Sequence, residues 1–139
     1  MAGKKKPTTF RASCDASIKD DEVIISMSVV SPKGKLVYQS TSKQTFKGGS
    51  TRGEVMAIRD LLKNLIRLRI QDVIIISDSE QAVRAANNPT FQFKGTYAKP
   101  LNAMLNTIRE YKPQIEKIKI EHRKRNENEL ADSLCRLRR

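Results

Sequence analysis

No run of apolar residues in this 139-residue chain approaches the roughly 20 needed to cross a bilayer. No basic amphipathic stretch carries the strong aromatic face of a membrane-surface helix. Met1 to Lys6 is basic, but no apolar segment of signal-peptide length follows it. A cytoplasmic protein with no membrane partner is therefore expected. Cysteine is scarce as well. Cys14 and Cys135 lack the paired spacing of a zinc site, and two are too few for a disulfide framework. Free buried thiols are the expectation, with a bond between the two as the alternative. There is no internal repeat and no low-complexity block. Acid is in short supply: 15 Asp and Glu stand against 27 Lys and Arg, a formal net charge of +12. That excess points to a polyanionic partner, most simply nucleic acid.

What is present reads as one domain of modest core over residues 8–139, after a basic, disordered tail over 1–7 that holds Lys4-Lys5-Lys6. Residues 8–16 alternate as a first strand, with Phe10, Ala12 and Cys14 on one side and Asp15 at its end. A turn at Lys19-Asp20-Asp21 leads to a second strand over 23–30. Ser31-Pro32-Lys33-Gly34 is a tight turn into a third strand over 35–46, alternating through Leu36, Tyr38 and Ser40. Lys47-Gly48-Gly49-Ser50 breaks the pattern, and a helix starts at Thr51. Glu54, Ile58, Leu61, Leu65 and Leu68 share one face of it.

The run Val73-Ile74-Ile75-Ile76 is four β-branched residues in succession, the pattern of a strand buried on both faces. Asp78 appears where the run stops. A short helix over 79–86 follows, then Asn87-Asn88-Pro89. A loop over 90–96 contains Phe91, Phe93, Lys94 and the candidate hinge Gly95. Its aromatics either anchor it on the core, the favoured expectation, or stack on a base. A helix over 99–111 has Leu101, Met104, Leu105 and Ile108 on its apolar face and stops before Pro113. A fifth strand over 115–120 gives way to a polar loop over 121–125. A last helix over about 126–138 has Leu130, Leu134 and Leu137 as its seam. The order β-β-β-α-β-α-α-β-α predicts an α/β fold: a five-stranded mixed sheet, an antiparallel meander followed by strands four and five, with helices on both faces.

Four acids take comparable positions: Asp15, Glu54, Asp78 and Asp132. Each has a plain structural alternative. Thr51-x-x-Glu54 has the form of a capping box. Asp78 or Ser79 suits a helix N-cap. Asp132 is spaced to pair with Arg136. Taken together, they are harder to explain as structural residues. If strands one and four lie side by side, their carboxyl ends gather these acids at one edge, where ligands bind in open α/β sheets. Such a cluster repels itself unless a hard divalent cation with oxygen ligands compensates it. Two such ions can activate water and stabilise the leaving oxygen of a phosphodiester.

On these residues the chain resembles the type 1 ribonucleases H over nearly its full length. The matching pieces are Cys14-Asp15-Ala16-Ser17, Thr51-Arg52-Gly53-Glu54, Ser77-Asp78-Ser79, and His122 followed ten residues later by Asp132 within Asn126-Glu127-Asn128-Glu129-Leu130-Ala131-Asp132. The resemblance implies a ribonuclease H-like fold and a monomeric endonuclease that cuts the RNA strand of an RNA–DNA hybrid. Two Mg²⁺ or Mn²⁺ ions per site are implied, with no small-molecule cofactor. It implies that Asp15 bridges both metals. Asp132 completes the site of the metal that activates water, and Glu54 and Asp78 hold the metal on the leaving-group side. His122, on a mobile loop, assists proton transfer or product release. Ser17, Thr51, Arg52, Ser79 and Asn128 are the implied substrate contacts. The chain departs from the family in Ala16, where glycine is usual, and in Ser50 and Thr51, where side-chain amides are common. It has no tryptophan, and the region after Ala86 is too short for the tryptophan-containing basic protrusion of some members. A hybrid-binding domain is also absent. Two alternatives stand beside this reading: a non-catalytic nucleic-acid-binding module of the same fold, and a related nuclease or resolvase acting on DNA.

Overall fold

The computed structural model describes residues 8–45 and 47–124. Three antiparallel strands come first: β1 (Phe10–Lys19), β2 (Glu22–Val30) and β3 (Leu36–Thr45). Then follow α1 (Ser50–Arg67), β4 (Asp72–Ser77), α2 (Glu80–Asn87), α3 (Ala98–Tyr111) and β5 (Lys117–His122). The sheet order is β3-β2-β1-β4-β5, with β1–β4 and β4–β5 parallel. Strands one and four thus lie side by side at the centre, as the buried-strand pattern of residues 73–76 requires.

The meander is closed by two short turns. Asp20, at φ +56, makes the β1–β2 turn, and Gly34, at φ +88, makes the next. Only glycine takes up the latter conformation without steric cost. The core lies between one face of the sheet and the three helices, which touch one another. Val23, Ile25, Met27 and Val29 of β2 face that core. Ile24, Ser26 and Ser28, which alternate with them, are buried too, so the centre of the sheet is covered on both sides. The last predicted helix, over 126–138, lies outside the described residues, as do the tail at 1–7 and Cys135. Cys14 is fully buried, and burial raises its pKa well above the usual thiol value.

Several expected boundaries move. β1 runs on to Lys19 rather than stopping near Asp15, because β2 pairs with it in register from Arg11↔Val30 to Lys19↔Glu22. Asp15 is therefore inside the strand. β5 begins at Lys117 because Ile115 is drawn into the core just ahead of it, after a 3₁₀ turn at Lys112–Gln114. The strand then extends through His122, which pairs with Ser77. Leu68, expected on the apolar stripe of α1, is instead its C-cap and is exposed, since Arg69 at φ +60 ends the helix. In β3 the expected alternation buries little. Leu36 is exposed and only Tyr38 packs on the core, because this is an edge strand, met by α1 where Arg67 lies over the Tyr38 ring.

α1 lies unusually close to the meander. A Cβ built on Gly53 would stand 3.1 Å from Ile18 Cδ1, 3.3 Å from Ala16 Cβ and 3.4 Å from Val23 Cγ2. Glycine here lets the first turn of the helix touch β1, which brings the next residue, Glu54, beside that strand. Gly53→Val should cost about 1–3 kcal/mol by overpacking. Gly53→Ala should cost less, since Ile18 Cδ1 can rotate away and alanine gains about 1 kcal/mol of helix propensity. Urea denaturation of the two variants checks this, and an unchanged midpoint for the valine variant would show that the close approach is not required.

Candidate functional site

The parallel pairing of β1 with β4 covers only Phe10↔Val73 to Ser13↔Ile76. Beyond it β1 continues while β4 ends at Ser77, leaving an edge of β1 unpaired by any strand on that side. Asp15 stands on β1 just past the last paired residue. Asp78 follows immediately after β4. Glu54 enters from the first turns of α1 and uses the break directly: its Oε1 accepts a hydrogen bond from the Ala16 N–H at 3.3 Å. A strand amide left over by the early end of β4 is thus satisfied by a helix carboxylate.

Each of the three residues offers an oxygen, and these oxygens lie within 4.8 Å of one another. Asp15 is 1% exposed and Glu54 7%. Glu54 Oε2 is buried and accepts no hydrogen bond among the described residues. Burial above all, and then the charges of Asp15 and Asp78, push the Glu54 carboxyl up to about 9. A group of closely spaced hard oxygen donors, two of them on nearly buried side chains, fits a hard divalent cation.

The plain structural roles fall to other residues. No capping box forms: the N-cap of α1 is Gly49, and Thr51 Oγ1 donates to Gln81 Oε1 at 3.0 Å instead. Ser79 is the N-cap of α2, its Oγ accepting from Ala82 N–H at 3.2 Å. The cap is therefore not Asp78. Ser77, fully buried, accepts from the Ser79 N–H at 3.2 Å and shapes the turn that presents Asp78.

Of the other predicted residues, Ser17 is half-buried on β1, two residues beyond Asp15 and on the same side of the strand. Arg52 lies one turn into α1, where its guanidinium sits 5.8 Å from the centroid of the Tyr97 ring. His122 is exposed and forms the end of β5, not part of a loop. The ladder continues past it, with Arg123 N–H donating to Ser77 O at 2.9 Å. Asp132 and Asn128 lie outside the described residues. Phe91 and Phe93 meet edge to face at 4.9 Å, and Phe93 is buried, so they anchor their loop on the core rather than offering a stacking surface. Gln81 and Tyr97 were not legible as site residues. Neither falls in a motif, and only the fold brings them to the start of α1.

The Glu54 carboxyl sets a pH dependence on the metal-free protein. The folded chain holds this proton more tightly than the unfolded chain, where the value is near 4.5. Its contribution to stability is complete below that value and is lost as the pH rises through about 9. The melting temperature of metal-free protein should therefore fall across this window, and Glu54→Gln should flatten the fall. A divalent cation must displace the same proton, so the rise in melting temperature it causes should be larger at pH 8 than at pH 6. Thermal melts with and without the ion at both values check the sign.

Comparisons with known proteins agree with this architecture. A family model described as reverse transcriptase-like matches residues 13–137. No curated protein sequence matches the chain. RNase H1 from the halophilic archaeon Halobacterium salinarum superposes with a TM-score of 0.79 at 18% identity, covering 92% of this chain and 95% of that one. The N-terminal RNase H domain of a Mycobacterium tuberculosis protein, solved as a fusion with maltose-binding protein, gives 0.79 at 14% identity over 93% and 91%. LC11-RNase H1 in complex with an RNA/DNA hybrid gives 0.67 at 18% identity over 92% and 94%. At such identities the likeness is one of fold. With the family model spanning most of its length and this sheet order beneath it, the chain belongs to the reverse transcriptase-like family and has the ribonuclease H fold.

Proposed function

We propose that this protein is a metal-dependent endonuclease that hydrolyses the RNA strand of RNA–DNA hybrids. The observation that carries the reading is the meeting of Asp15, Glu54 and Asp78 within 4.8 Å at the break in the sheet. A chain of net charge +12 retains a self-repelling acid cluster at this one edge, and its folds-in-kind include a ribonuclease H solved with an RNA/DNA hybrid.

In this reading Asp15, Glu54 and Asp78 hold two Mg²⁺ or Mn²⁺ ions, and Asp132 completes the set. The ions, when bound, supply an activated water and charge stabilisation for the leaving oxygen. The side chains do the rest. Asp15, fixed in the middle of a strand paired along its whole length with β2, serves as the rigid common ligand. Asp78 is held by the turn that Ser77 and Ser79 shape. Glu54 gives up its proton on metal loading while Oε1 keeps the Ala16 amide. His122, held at the end of β5, moves a proton near the leaving group or helps release product. Ser17, Thr51, Arg52, Ser79 and Asn128 contact the substrate, and preference for RNA comes from contacts to the 2′-OH.

The test is cleavage of a labelled RNA–DNA hybrid with Mg²⁺ or Mn²⁺, with single-stranded RNA, duplex RNA and duplex DNA as controls. Wild type should cut only the hybrid, and chelation should stop it. Loss of a partner that merely orients a metal ligand costs about 10–100-fold. Asp78→Asn, which alters a ligand itself, should cost at least about a hundredfold while leaving the melting temperature close to that of wild type. Hybrid binding without cutting by the wild type would instead mean a binding module, and cutting confined to DNA would mean a DNA nuclease.

A further inference from the structure

Phe91 and Phe93, the two rings in the loop after α2, are committed to the core, whereas Tyr97 is not. This side chain is 42% exposed at the residue preceding α3, and Arg52 stacks its guanidinium over the ring, 5.8 Å from the centroid. Arg52 and Glu54 both belong to the first two turns of α1, so the stacked pair lies at the same end of that helix as the acid cluster. A second hold on the guanidinium comes from Lys47 O, which accepts from Nη1. A long arginine left to itself samples many rotamers. Here a ring face and a carbonyl restrict it.

Tyr97 can act as a support because its own segment is tied down at several points. Asn102 closes a two-way bond with Phe93, accepting from its N–H at 2.8 Å and donating to its carbonyl at 3.1 Å. Arg109 Nη2 donates to the carbonyls of Asn88 and Phe91, at 3.1 and 2.6 Å. Gly95, at φ +104, turns the chain, and Ala98 N–H closes that turn on Gly95 O at 3.1 Å. A segment with no tryptophan and no protrusion is thus a fixed mount carrying one exposed ring.

We infer that Tyr97 is a positioning residue that holds Arg52 at the edge of the site for a backbone phosphate of the bound nucleic acid. This rests on the proposed function for its substrate class. A charged guanidinium N–H suits a phosphate oxygen, and cation–π stacking orients the group without neutralising its charge. The ring, not the phenolic hydroxyl, is what the arrangement uses.

The test is fluorescence anisotropy with a labelled RNA–DNA hybrid and with a labelled DNA duplex, in EDTA and over a series of salt concentrations, with steady-state cleavage alongside. Losing a stacked support for the cation should weaken hybrid binding roughly three- to tenfold in Tyr97→Leu, with the effect in cleavage falling on KM rather than kcat. Tyr97→Phe should restore binding. Arg52→Ala should weaken binding further and lower the salt slope by about one phosphate contact. The double variant should bind no worse than Arg52→Ala alone, because the tyrosine acts through the arginine. Thermal melts of all variants accompany the titrations, so that loss of folding is separated from loss of grip. Unchanged hybrid binding in Tyr97→Leu, or a full additive loss in the double variant, overturns the inference while leaving the nuclease reading intact. Binding of DNA duplex alone with the same dependence on Tyr97 keeps the inference and removes the hybrid as substrate. A wild type that binds neither duplex overturns both.

Discussion

Three carboxylates forced to share a space under 5 Å across is the constraint around which this fold is organised. Left in solution, such groups would move apart. Here each is fixed by a different element, and no single element could relieve the repulsion without giving up other contacts. Asp15 cannot withdraw because its strand is paired with β2 on both sides of it. Glu54 cannot swing away easily because α1 is packed against β1 and β2 through Gly53. Asp78 is fixed by two serines that close the turn between β4 and α2. The metal-free cluster meets the remaining strain by keeping a proton on Glu54, the most economical neutralisation open to a buried acid set.

The break in the sheet is what makes room for this. β1 is longer than its parallel partner, so one side of its second half has no strand beside it. In most sheets that mismatch would leave backbone groups to water. Here the carboxyl end of one strand, the flank of another and the start of a helix meet at that break. The start of α1, which carries Glu54, also joins Thr51 to Gln81 and Arg52 to Tyr97.

Much of this could be read from the residues themselves. The four β-branched residues at 73–76 mark the central strand, and three strand patterns over 8–16, 23–30 and 35–46, separated by short turns, mark the meander. The three described acids followed from strand ends and helix starts. What could not be read has physical causes. Asp15 looked like a strand terminus because period-two alternation does not reveal how far a partner strand extends. His122 looked like a loop residue because its neighbours Glu121 and Arg123 are charged, yet the edge position of β5 tolerates charge and the ladder runs on. The capping box was a true local pattern that the tertiary structure overrode, since Thr51 and Glu54 each find a partner from a distant segment. Tyr97 carries no periodic or motif signal, and only the fold brings it to Arg52.

The Ala16 amide belongs to the sheet by position but bonds to a helix carboxylate. Its proton therefore senses two things at once: the charge on Glu54 and the distance between α1 and β1. Few backbone groups in a small domain connect a site to its scaffold so directly. One resonance in an amide spectrum becomes a gauge of the whole centre, reporting protonation and helix seating without a substrate or a turnover.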